Sequence, residues 1–505
     1  MRGPRDPGGA RGAVVAWVGL AVMLGGVVFL NQFTGKEAEV APTAVPAPSE
    51  GGVSAEGPTS DAPPVAEGTV VVVRVEPPRV DDQFAMGAKL YYKLGSLEMV
   101  AGKDRATLMT SIDGAARTVE DRFRAAIVAA DLAGAEEGRE RLARLEAEEA
   151  GAWAERGLGE DAALVRRVLD GGDSELTDAE RDRLVERHGW FGELAVALGA
   201  PTESPERAAL RGGGGALIAF IVAAVVVFGG AGVAALAAVV VMAVKMSRGR
   251  LRPRFVAPSA GGSVYLEAVA VFVGAFAAFK VVVPLLIGMA TGGGDPPEWA
   301  TGAALASQWV LLVVPLYPLL RGVRWGELKA AMGWHRGEGV WREIGAGLLG
   351  YFAGLPLLVI AGLITFGGIA LRGLLRKGGP GDGGPETMDN PIVELVTTAG
   401  PWTLALLFVL ATVWAPLVEE SVFRGAFYRH LRSRAMVIVA AIGSAVVFGL
   451  MHGYDLILLL PVMTIGLVFA LVREWRGSLI GPMVAHGLHN ATILALVIGL
   501  FSILK

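Results

Sequence analysis

The chain has 505 residues, of which 53% are hydrophobic, and a mean hydropathy of +0.51, which excludes an ordinary soluble protein and leaves room for more than one domain. It contains no cysteine, so disulfides, thiolate metal ligands and a cysteine nucleophile are excluded. The net charge of −4 conceals an uneven split, because residues 36–212 carry 34 acidic and 21 basic side chains and the remainder is therefore +9. That asymmetry fits an acidic water-facing domain joined to a membrane bundle with basic loops, and no nucleic-acid partner.

Taken in order, Arg2, Arg5 and Arg11 lead into the uncharged run Gly12–Leu30, long enough to cross the hydrocarbon core. The run exceeds a signal-peptide core and Asn31-Gln32-Phe33 is no small-residue cleavage site, so residues 1–31 read as a signal anchor with its N-terminus inside. Residues 32–68, rich in Pro, Ala, Ser, Gly and acidic side chains, read as a disordered tether. Within residues 69–212, an acidic and mostly helical water-soluble domain is expected: a short strand at Thr69–Val75, then charged helical runs. Thr177-Asp-Ala-Glu180 is a capping box. Glu136-Glu137 and Glu148-Glu149 read as solvated helix faces, and His188, with no ligand neighbour at useful spacing, as surface or cap chemistry.

Gly212–Gly215 reads as a flexible joint, after which residues 213–505 form the membrane bundle. Apolar segments at about 216–244, 264–290, 302–320, 343–371, 402–428, 435–452, 456–472 and 478–501, with the anchor, predict about nine spans. On that count the basic stretches Lys245–Arg254, Arg321–Arg342, Arg429–Arg434 and Arg473–Arg476 all fall inside, His335 and His430 among them, while the Gly292–Glu298 loop falls outside. One loop, with Arg372, Arg376 and Lys377, opposes the rule. The expectation is an all-α, multi-pass protein of the cell membrane with a cytoplasmic N-terminus and residues 32–212 extracytoplasmic.

Chemistry concentrates at Trp414–Gly425, where Glu419 and Glu420 stand in an apolar run. A charge at mid-bilayer costs on the order of 3 kcal/mol, so an intramembrane Glu pair is a functional signal. Arg424 is one helical turn after Glu420 and gives it a partner; Glu419 is left over. Two later apolar segments carry Phe448-x-x-x-His452 and His486-x-x-x-Asn490, each pair on one helix face. A carboxylate, two imidazoles and an amide, with no serine or cysteine suitably placed, point to hydrolysis by an activated water. Pro416 removes a backbone hydrogen bond just before the Glu pair, as helices lining polar cavities tolerate. Linear counting sets His452 farther across the bilayer than Glu419.

These three motifs, in this order over residues 400–495, resemble those of the CPBP (CAAX protease and bacteriocin-processing, or Abi) intramembrane proteases, a family that includes type II prenyl endopeptidases. The resemblance implies Glu419 as the base that activates water, His452 as its assistant, His486 and Asn490 as oxyanion binders, and Glu420 and Arg424 as supports. It leaves His489 unassigned. Cofactor-free chemistry is favoured; the alternative is a zinc ion on Glu420, His452 and His486, although no His-Glu-x-x-His occurs. The implied substrate is a membrane-associated peptide or protein, with a protein partner for the outer domain as a further expectation. Two other functions stay open: a non-catalytic bundle of the same fold acting in bacteriocin immunity or scaffolding, and a proton-coupled transporter using the Glu pair as a relay.

Overall fold

The computed structural model describes residues 6–33, 83–97, 102–171, 176–292, 298–375, 395–396, 399–454 and 456–504. Every regular element among them is a helix. The expected tether, the strand at Thr69–Val75 and the loops at 293–297 and 376–394 lie outside the described residues.

The helices from Gln83 to Arg211 gather round an apolar core of their own, in which Phe123, Ile127, Leu142, Val165, Leu184 and Leu194 are buried. Thr177 and Glu180 form the anticipated capping box and open the helix Asp178–His188. Glu136 and Glu148 are exposed, as solvated faces should be, whereas Glu137 and Glu149 are half-buried and pair with Arg141 and Arg122. His188 is not surface chemistry. It is buried, and its Nε2 is 3.0 Å from Asp161 Oδ2, because Leu158–Gly171 brings its fully buried Asp161 against the last turn of the next helix. Arg183 and Arg187 reach the same carboxylate at 2.9 and 2.5 Å. Burial pushes the Asp161 carboxyl up, but the His188 and Arg183 hydrogen bonds and the Arg187 charge outweigh it and hold the group below the usual aspartate range. A carboxyl lowered in the folded state lends stability that is complete above its unfolded value, near 3.9, and is lost as the pH falls through the lower folded value. Acid unfolding of this domain, followed by tryptophan fluorescence, is therefore expected to steepen below about pH 4, and Asp161→Asn to remove that steepening.

The joint at Gly212–Gly215 is packed where a loose hinge was expected. Lys93 Nζ donates to the Gly212 carbonyl at 2.8 Å, Ser96 Oγ donates to that of Arg211 at 3.3 Å, and Asp131 accepts from Tyr92, Arg207 and Arg211. The glycines serve close approach instead of slack: Gly213 has φ +89°, and a Cβ on Gly214 would sit 2.6 Å from the Lys93 carbonyl.

Among the described residues seven helices are long and apolar enough to cross a membrane, and the protein is multi-pass. Of the nine spans counted from hydropathy, the other two differ in kind. Val437–Leu450 has only 14 residues, and Leu459–Arg476 ends in a charged turn holding Arg473, Glu474 and Arg476. The first helix, Ala10–Phe33, packs along Val264–Ala290, burying Leu20 and Val27 in the main bundle core. All four basic stretches meet at one end of the bundle. Arg254 and Arg476 share Glu338, Arg434 donates to the Gly262 carbonyl, and Asp6 approaches His430 at 3.7 Å. His430 is consequently fully buried and not a loop residue. At the opposite end, Gly213 lies beside the Ile503 carbonyl, so the helices from Gln83 to Arg211 and the end of the last helix share a side.

Candidate active site

The helix opened by Pro401 continues to Arg432 but widens twice, into π-helical turns at Leu410–Trp414 and Glu420–Phe427. π-bulges of this kind are frequent at functional sites. The Ala415 N–H reaches back five residues to the Leu410 carbonyl. The next bond in that register would join residue 416 to the Ala411 carbonyl, and Pro416 has no N–H to give. Asn490 supplies it: its Nδ2 donates to the Ala411 carbonyl at 2.8 Å. The helix thus widens where an unbroken α-helix would have been interrupted, and one motif residue on the last helix, Ile480–Leu504, repairs it.

Gly487, within the same motif, lets the last helix approach this repair. A Cβ there would lie 2.9 Å from the Thr412 carbonyl and 3.7 Å from the Pro416 ring. Gly487→Ala is expected to destabilise the bundle by about 1–3 kcal/mol, the usual cost of overpacking, read as a lowered midpoint in a thermal melt.

Glu420 and Arg424 are both 0% exposed and joined at 3.0 Å through Arg424 Nη1. Arg424 also donates from Nη2 to the Gly466 carbonyl at 2.9 Å and stacks 4.2 Å above the Phe448 ring. Its partner is therefore an interior ion pair and not a surface one. His486, 3% exposed, approaches both glutamates. Its Nδ1 is 2.9 Å from Glu420 Oε1, and because a carboxylate only accepts, Nδ1 carries the proton. Its Nε2 then faces Glu419 Oε2 at 3.9 Å, too far for a direct hydrogen bond and wide enough for one water oxygen to touch both. Phe469 stacks on the His486 ring at 5.0 Å and 22°.

His452 donates from Nδ1 to the Phe448 carbonyl at 2.8 Å, leaving Nε2 bare. It lies within electrostatic range of Glu419 and His486. The depth mismatch disappears when both positions are measured from the shared basic end. Glu419 stands 13 residues before Arg432 and His452 15 residues after Val437, each about 20 Å up at 1.5 Å per residue. Glu419 itself is partly buried, with 19% of its side chain exposed and no hydrogen-bond partner on Oε2.

Residues 401–492 match a family model described as type II CAAX prenyl endopeptidase Rce1-like. This segment is an Rce1-like domain of the CAAX protease (CPBP) family. Comparisons with curated proteins and with solved structures gave no match. The Rce1-like domain holds every motif residue singled out in the sequence, from Glu419 to Asn490. Of the three residues named for a zinc ion, Glu420 and His486 bond to each other, and Arg424 takes the same carboxylate. Among the described residues no group of three His, Asp or Glu side chains is placed to hold a metal ion.

Two features escaped sequence reasoning. Tyr454, two residues after His452, lies within electrostatic range of Glu419, and its ring is 6.0 Å from that of His452; proximity in the chain was a usable signal. His489 pairs loosely with Tyr351 at 3.5 Å across to the helix Val340–Leu375, which no local pattern announces. A separate apolar cavity of about 430 Å³ opens on another face of the Glu-bearing helix, lined by Leu417, Ser421, Trp334 and Met483, and none of the motif residues lines it. Ser421 is no nucleophile there, since its hydroxyl donates to the Leu417 carbonyl at 2.6 Å while accepting from Trp334.

Proposed function

We propose that the protein is a membrane-embedded endopeptidase that hydrolyses a peptide bond with a water activated by Glu419. The observation that carries this reading is the placement of His486 between two glutamates of unequal environment, one sealed into an ion pair and one partly exposed, with an oxygen that no protein donor reaches. Glu420 and Arg424 fix the His486 ring, so that its Nε2 addresses the Glu419 side. In the reaction, Glu419 takes a proton from water as its oxygen bonds to the scissile carbonyl carbon. His486 Nε2, which carries no proton in this tautomer, accepts the second hydrogen of that water and holds it against Glu419, and the tetrahedral oxyanion receives a hydrogen bond from the second amide N–H of Asn490, the first being spent on Ala411. Collapse breaks the C–N bond, and the proton passes from Glu419 to the leaving amine, with His452 Nε2 sharing it.

The family description points to a prenylated CAAX protein as the first substrate class to try. The meeting of four basic stretches at one end of the bundle supports a cell-membrane topology with that end cytoplasmic and the domain at 83–212 on the other side.

The full chain in proteoliposomes is expected to release the C-terminal fragment of a membrane-anchored peptide, with a prenylated peptide preferred and chelators leaving the rate unchanged. Absence of cleavage across lipidated and unlipidated peptides would sink the reading, and loss of activity on chelation that zinc restores would move it to the metal-dependent form.

A further inference from the structure

At the basic end of the bundle, away from the Glu419 site, lies a polar cavity of about 510 Å³. Four guanidiniums line it, those of Arg254, Arg429, Arg473 and Arg476, with His335 and a single carboxylate, Glu338. That carboxylate is spent: it pairs with Arg254 at 2.6 Å and with Arg476 at 2.7 Å. Behind it, buried Glu343 is held by Arg476 through two bonds, at 3.0 and 2.7 Å. Of the other nearby acids, Glu474 accepts from Tyr428 at 2.8 Å and from Arg432 at 3.1 Å, and Asp6 lies on the Arg429 and His430 side.

Arg473 is left without an anion. It is 1% exposed and makes no ion pair among the described residues. Its Nε, Nη1 and Nη2 donate only to the carbonyls of Arg424, Gly477 and Ala331. Of its five N–H groups, two therefore have no acceptor, one on each terminal nitrogen. The charge of Arg429 acts on it unfavourably and that of Glu474, which does not touch it, favourably. A buried guanidinium that bonds only to carbonyls is costly beside a polar cavity unless an anion reaches it.

We propose that this cavity binds a phosphate-bearing anion, a phosphomonoester or phosphodiester. A tetrahedral group with three or more acceptor oxygens can meet guanidiniums from several walls at once, which a planar carboxylate cannot. The walls come from the ends of membrane helices, the level at which lipid phosphates lie. Headgroup and free phosphate share this chemistry, and the site owes nothing to the protease reading.

The test is thermal unfolding of the full chain in detergent, with one arm of pyrophosphate against chloride at matched ionic strength and one of short-chain phosphatidylglycerol against phosphatidylcholine. At a hundredfold excess over the dissociation constant, the midpoint of the wild type is expected to rise by roughly 5 °C. A rise with phosphatidylglycerol alone assigns a lipid headgroup; a rise in both arms assigns the phosphate group itself. Val256→Glu, at an exposed rim position of the cavity, sets a carboxylate in the anion's place and is expected to weaken binding at least tenfold, as is Arg254→Gln. No rise in either arm, or a rise that both variants retain, overturns the proposal.

Discussion

Glu419→Gln is expected to lower the cleavage rate by roughly 10²- to 10⁴-fold, the span usually lost with a general base, while leaving the fold intact. The reason for expecting both together lies in the environment of the side chain. Glutamine has the same shape, Glu419 is still partly exposed, and its Oε2 holds no protein hydrogen bond to lose. The exchange therefore opens no cavity and breaks no ion pair, the two routes by which interior substitutions cost most. A single-turnover assay on a membrane-anchored peptide, run beside a thermal melt, separates the two quantities. Retained cleavage with an unchanged melt removes Glu419 from the chemistry. A non-catalytic bundle of the same fold predicts that outcome, together with a phenotype lost on deleting residues 36–212.

Arg424→Met is expected to destabilise the bundle by about 3–5 kcal/mol, because it strands a fully buried carboxylate. Glu420 would keep only His486, and Gly466 would lose the donor to its carbonyl. The double variant Glu420→Met/Arg424→Met tests whether this cost is that of the unpaired charge. Replacing both members of a buried pair by apolar side chains of similar volume is often close to neutral, so the double variant is expected to melt near the wild type. It should nonetheless remain inactive, since Nδ1 of His486 then has no acceptor to fix the ring. A double variant that melts as low as the single one would show that Arg424 serves through its packing on Phe448 and Phe469. Recovery of activity in the double variant would remove Glu420 from any positioning role.

The two predictions separate the halves of the Glu pair, which the sequence distinguished only by the presence of Arg424 one turn later. The structure adds a second difference. The turn from Glu420 onward is π-helical, so the two carboxylates leave the helix in directions that let one imidazole lie between them. Asn490 shows the same point from another side. Its spacing from His486 was legible as a shared helix face, but its bond to Ala411 depends on the wide turn before Pro416. The Ala411 carbonyl, which the missing N–H of Pro416 leaves without a backbone donor, accepts instead from a residue 79 positions away.

The sequence by itself determined the all-helical membrane bundle, the separate acidic region and the motif residues of the Rce1-like domain. These rest on hydropathy, period and charge, which act within one helix length or less. Tertiary structure alone decided the height of His452 relative to Glu419, the burial of His188 and His430, the tight joint at Gly213, and the gathering of Arg254, Arg429, Arg473 and Arg476 around one cavity. Each of these depends on which segments pack together across tens to hundreds of residues. A side chain's cost or use in the interior is set by the partners it meets there, and local sequence does not record them.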